Sequence, residues 1–235
     1  MLGRIVLSKR SKDEAEKPFW ISFSDLMTAL MVLFLVVMAI SLLSVTQKLR
    51  DVQMEEAERA DAIDRIVSSL QEAAAKHGDV SVTGSRDRVV IEFGEAARFA
   101  SNDHRIGTPG AERLRRFAPE ILNMAESEDG RRWFKRVVVE GFTDPRGTYL
   151  HNLHLSLMRA ESVVCNLLAP GGAELTDAQK QAVRRLFLVG GFSSNSTRTT
   201  DEESRRVELR LDFRTVRERP EAPALLDVPL GQCRI

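Results

Sequence analysis

Apolar and polar positions alternate along this chain in three distinct rhythms. From Phe19 to Val45 the residues are apolar almost without a break, and Asp25 is the one ionisable side chain among them. At about 1.5 Å per helical residue, some twenty apolar residues cross the hydrocarbon core of a bilayer. The run therefore predicts a membrane-crossing helix. From Gln47 to His77 the chain turns charged and helix-favouring, without Gly or Pro. There Leu49, Val52, Ile63, Ile66, Leu70 and Ala73 recur at helical spacing, while Glu56 and Arg59 interrupt the seam. A helix continuing out of the membrane is expected, either as a solvated spacer or as a coil that pairs two copies.

After Gly78 the period shortens to that of strands. Val80–Val82 and Val89–Phe93 flank the turn-rich stretch 84–88 and predict a β-hairpin. Gly94–Pro109 is irregular. Ala111–Ala125 reads as a helix that Pro119 should kink or divide. Arg136–Phe142 is a strand, Thr148–Leu168 a long helix, Thr176–Arg185 a short one, and Leu186–Phe192 and Arg205–Phe213 the last strands. This order predicts an α+β domain, a mixed sheet with helices packed on it. The expected organisation is an N-terminal tail (1–18), a transmembrane helix (19–45), a helical linker (46–78), the α+β domain (79–214) and an extended C-terminal tail (215–235).

Charge narrows the function. The chain of 235 residues holds 34 Lys and Arg against 34 Asp and Glu, so its formal net charge is zero. Nucleic-acid binders carry a basic surplus, and this chain is read as having no nucleic-acid partner. Before the membrane run, Arg4, Lys9, Arg10, Lys12 and Lys17 outnumber Asp13, Glu14 and Glu16, which places the N-terminus in the cytoplasm and the α+β domain in the periplasm of an inner-membrane, single-pass protein. The run is longer than the apolar core of a cleaved signal peptide, so it reads as a retained anchor. Cys165 and Cys233 can form a disulfide in an oxidising compartment, or Cys165 can be a plain core thiol.

Two places carry candidate chemistry. A carboxylate inside a membrane is costly and normally faces a protein interior or a watery path. Ser22, Asp25, Thr28 and Ala29 share one helix face, which suits packing against another membrane protein with Asp25 in the contact. In the domain, a strand ends at Gly141, a turn places Asp144 at its exit, and the next helix carries Asn152, Leu155 and Arg159 at helical spacing. A carboxylate and a guanidinium converging there suit a zwitterionic ligand: Asp144 accepts from an ammonium, and Arg159 forks a carboxylate. His151 and His154 lie three apart on that helix, without a carboxylate or Cys cluster to complete a metal site. Neither a phosphate loop nor a nucleophile elbow occurs, so no enzyme activity is expected.

The sequence around Asp25, with Met27, Thr28, Ala29 and Met31, resembles the membrane helix of B subunits of ion-driven motor stators, the family that includes flagellar motor protein B. The resemblance implies that Asp25 carries a translocated proton or sodium ion, with no other cofactor. It also implies a homodimer of this chain inside a pentameric A subunit. Gly141, Thr143, Asp144, Gly147, Asn152, Leu155, Ser156, Arg159 and Ala160 resemble the motif of OmpA-like peptidoglycan-binding domains, and Ser204, Arg205, Arg206 and Val207 its later Asn-Arg-Arg-Val element. That resemblance implies binding of the diaminopimelate peptide stem of peptidoglycan, with Thr143, Asp144, Asn152, Leu155, Arg159 and Arg206 as site residues. Within the stator family, the wording of the membrane run is most similar to B subunits of the Zorya anti-phage defence system. A flagellar stator subunit and a purely structural cell-wall anchor are the alternatives.

Overall fold

The computed structural model describes residues 13–86, 88–169, 175–219, 229, 231 and 233. The expectations for the basic residues before position 13, and for most of the tail beyond 219, lie outside these. The chain divides into two compact units, Met1–Met54 and Glu55–Ile235.

Helix α1 (Asp13–His77) runs through that division. Within the first unit its side chains from Trp20 onward are exposed, including Leu26, Leu30, Leu33, Phe34 and Val37. It is long and apolar enough to cross a membrane. Hydroxyls along it bond back to the preceding turn, as Thr28 Oγ1 donates to Ser24 O at 2.7 Å.

The distal half of α1 corrects the linker assignment. Ala62, Ile63, Ile66, Leu70 and Ala74 are buried, and the last three belong to the core of the folded domain. The compact unit that holds the sheet begins at Glu55 rather than at 79, and from Ile63 onward the seam read as a spacer or pairing coil is occupied within its own chain, while Leu49 and Val52 stay exposed. Arg65 reinforces this packing with a forked pair to Asp129 at 2.8 Å, and Arg59 Nε donates to Arg214 O at 2.6 Å.

The domain then forms strands β1 (Ser81–Ser85) and β2 (Arg88–Glu92), a short 3-10 turn at Glu95–Ala97, and helix α2 (Thr108–Glu126). Pro119 does not divide α2. Its ring removes one ladder bond, but the buried stripe of Leu114, Phe117, Ile121 and Leu122 holds the helix to the core. Next come α3 (Glu128–Trp133), β3 (Phe134–Gly141), α4 (Tyr149–Leu168), α5 (Asp177–Leu186), β4 (Phe187–Gly191), α6 (Asp201–Ser204) and β5 (Val207–Phe213). Neither α3 nor α6 was expected from the sequence, because elements of one turn leave no periodic trace.

The strands form one mixed sheet in the order β1-β2-β5-β3-β4, with β3 and β4 parallel and the other neighbours antiparallel. Val82, Val89, Ile91, Val137, Val139, Leu209 and Leu211 join the helices in the core. The alternate residues carry charge. Glu92, Glu208 and Glu140 stand in register across three strands, an arrangement that would repel if unpaired. Arginines neutralise it: Arg210 Nε donates to Glu140 at 2.5 Å, Arg206 Nε to Glu208 at 2.7 Å, and Arg198 bonds both Glu92 and Glu208.

Candidate functional site

The site lies where β3 ends against α4. Gly141 and Gly191, paired in register at the ends of β3 and β4, let the helix approach the sheet closely. A Cβ on Gly141 would fall 2.0 Å from Ser156 O, and one on Gly191 2.6 Å from Leu157 Cγ. The chain then leaves β3 through Phe142, Thr143 and Asp144 and turns back at Gly147, whose φ of +99° only glycine adopts readily. Thr148 caps α4 by accepting from His151 N. Asn152 holds the intervening loop, its Nδ2 donating to Arg146 O at 3.0 Å and to Asp144 O at 3.3 Å.

Asp144 is nearly enclosed, at 7% exposure. Its Oδ1 accepts from Arg146 N, and its Oδ2 accepts from the guanidinium nitrogens of both Arg146 and Arg205, each of the three bonds measuring 3.1 Å. Burial pushes this carboxyl up, but the bonds from Arg146 and Arg205 outweigh burial and hold it below the ordinary aspartate value.

Arg159 is wholly buried, at 0% exposure. Its Nε donates to Asp103 O at 2.9 Å, one terminal nitrogen to Phe142 O at 2.7 Å, and the other to Ala100 O at 3.1 Å. Its guanidinium also lies 5.0 Å from the Phe99 ring centroid. Burial lowers its pKa to about 10, against the attraction of Asp144, so it remains charged at neutral pH. Three of a guanidinium's five N–H groups are thus committed to backbone carbonyls.

These contacts revise the roles read from sequence. Asp144, Thr143, Asn152 and Arg159 do converge at the end of β3. Arg159, however, ties the loop at 100–103 to the strand end and does not present an open fork. Leu155 is buried on the inner side of α4. Arg206 points elsewhere: its guanidinium lies 4.3 Å over the Phe142 ring and bonds Glu208 and Ser196 O. The neighbouring Arg205 takes the place expected of it, bonding Asp144, Phe99 O and Glu202. Sequence reasoning placed Arg205 in the motif without giving it a role in the site, and it missed Arg146. Arg205 reads in sequence as the start of the last strand, but it is the C-cap residue of α6.

Thr143 Oγ1 is buried without a hydrogen-bond partner among the described residues. Such a group normally costs free energy unless something bonds it. His151 Nε2 contacts Asn102 Oδ1 at 2.9 Å, and no group of three or more His, Cys, Asp or Glu among the described residues is placed to hold a metal ion. Away from the site, Cys165 of α4 is joined to Cys233 by a disulfide.

Helix and domain together define a membrane-helix protein whose apolar segment carries a lone acid and whose α+β domain gathers a charged site at the end of a central strand. Residues 8–53 match the family described as "Membrane MotB of proton-channel complex MotA/MotB". Over 226 residues the chain is 44% identical to Zorya protein ZorB of Escherichia coli O139:H28, covering 95% of this chain and 92% of that protein. The chain belongs to the ZorB family. It is also 30% identical over 132 residues to the probable lipoprotein YiaD of Escherichia coli K12, covering 56% of this chain and 55% of that one. A putative MotB-like protein from Desulfovibrio vulgaris is similar at 17% identity and a TM-score of 0.45, over 66% of this chain and 94% of that one, and adds no argument of its own.

Proposed function

We propose that this chain is the B subunit of an inner-membrane, ion-driven motor complex that is anchored to peptidoglycan and acts in anti-phage defence. The observation that carries the reading is Asp25, a lone acid in the apolar segment of α1, whose side chains from Trp20 to Val45 are exposed all round. An intramembrane carboxylate so placed calls for a protein partner. In this reading the partner is a pentameric MotA-like A subunit surrounding the helices of two copies of this chain. Asp25 then carries a proton: protonation removes a charge from a low-dielectric seam, deprotonation restores it, and each passage changes the force between helix and ring.

The α+β domain holds the chain still by gripping the wall, with Asp144 accepting from the ammonium of a diaminopimelate stem. Arg159 shapes the site from behind through the three carbonyls it binds. The Cys165–Cys233 disulfide supports an oxidising, periplasmic location for the domain, and with it a cytoplasmic N-terminus.

The test uses cells carrying the gene with its native neighbours, scored for plaques under phage challenge and for swimming in soft agar. Asp25→Asn keeps shape and should reduce protection to that of cells lacking the gene, with swimming unchanged. Full protection by that variant would sink the ion-carrying role. Rescue of swimming in a stator-deficient strain, without protection, would move the chain to the flagellar class.

A further inference from the structure

Asp144 is fully partnered within its own chain, yet its two guanidinium partners are held very differently. Arg205 is enclosed, with only 9% of its side chain exposed, and is tied by further bonds to Phe99 O at 3.0 Å and Glu202 at 2.9 Å. Arg146 has 61% of its side chain exposed. Beyond Asp144, its side chain pairs, among the described residues, with the partly exposed Asp201 at 3.3 Å. A solvent-exposed ion pair of this kind contributes little and exchanges readily. Of the two guanidinium groups on Asp144, Arg146 is the one that solvent reaches.

We propose that Arg146 is a latch across the ligand site, bridging Asp144 to Asp201, and that its displacement makes the site selective for a zwitterionic amino-acid head over a lone ammonium. The inference rests on the reading of Asp144 as a wall-binding residue. When an ammonium takes the Oδ2 position, Arg146 loses its pair with Asp144 but keeps Asp201 and its place. Its backbone N–H still bonds Asp144 Oδ1, and Asn152 still holds its carbonyl. The freed guanidinium therefore stays beside the ligand and can fork a carboxylate on the same carbon as the ammonium. A ligand bringing both groups replaces one ion pair by two. A ligand bringing only an ammonium, such as a lysine side chain, replaces one by one and gains nothing from Arg146. The buried Thr143 hydroxyl, which has no partner among the described residues, sits next in sequence to Asp144.

The experiment titrates the full-length chain in detergent micelles with meso-diaminopimelate and, separately, with Nα-acetyl-lysine amide, by calorimetry. Wild type should prefer diaminopimelate. Arg146→Ala should narrow that preference by at least about fivefold, the scale of one charge-assisted contact, by strengthening the lysine derivative and weakening diaminopimelate. Arg146→Lys, which restores the charge without the fork, should recover only part of it. Binding of the lysine derivative by Arg146→Ala but not by wild type would also support the latch, whereas binding of diaminopimelate by Arg146→Ala but not by wild type would overturn it. An unchanged preference in Arg146→Ala, with wild type binding diaminopimelate, would overturn the latch and leave the wall-binding site standing. Binding of neither probe by either protein would overturn both.

Discussion

Arg159 shows how one side chain can look like a ligand contact in sequence and serve as a structural tie in the fold. Its guanidinium gathers the carbonyls of Ala100, Asp103 and Phe142, segments far apart in sequence, around a buried charge. Each buried carbonyl left unbonded costs about 1–3 kcal/mol. Lysine presents a single ammonium on a flexible stem and cannot reproduce a planar fork across three acceptors. Arg159→Lys should therefore lower the stability of the domain by about 2–4 kcal/mol, read by urea unfolding of the full chain in detergent. Loss of wall binding in this variant would report collapse of the loop at 100–103, since lysine keeps the charge. Asp144→Ala is the cleaner probe of ligand contact. The convergence of Asp144 and Arg159 was legible in sequence, since a strand exit followed by helical spacing puts both at one spot. The assignment of Arg206 was not, because two adjacent arginines leave opposite sides of the backbone and only the path after α6 decides which faces the site.

Among the elements, α1 changes character within one uninterrupted helix. Its proximal part offers apolar side chains to a membrane, and its distal part supplies Ile66, Leu70 and Ala74 to the core of the folded domain. The helical spacing of the distal part was plain in sequence, but the surface it covers was not. A seam of that kind serves a second helix or a sheet equally well, and the sheet is assembled from strands as far along the chain as Leu209 and Leu211, which share the core with Leu70. Removing Leu70 separates the alternatives. Leu70 is 1% exposed, and Leu70→Ala should cost the domain about 2–5 kcal/mol as a core truncation. A spacer or pairing coil would leave the monomer's unfolding unchanged. Thermal melts of the full chain at several protein concentrations distinguish these outcomes. The succession of strands along the chain was foreseen but their order in the sheet was not, and α3 and α6 were too short to announce themselves.

On the scale of the whole molecule, Cys165 and Cys233 close a covalent loop with a sequence separation of 68 residues that secures the end of the chain to α4. Cross-links of this span typically add about 2–4 kcal/mol by limiting the unfolded chain. Reductant should lower the stability of the domain by that amount, measured by thermal unfolding, and should have no effect on a Cys233→Ser variant. The sequence by itself determined the membrane helix with its lone Asp25, the α+β class and the location of the site. Those features follow from local hydrophobic rhythm and from residues close together in the chain. Only the tertiary structure decided that the distal half of α1 belongs to the core and that Arg159 is spent on backbone carbonyls. It alone placed Arg146 and Arg205 on Asp144. These depend on which distant surfaces meet and which polar groups must be satisfied when they do, and no local pattern encodes that.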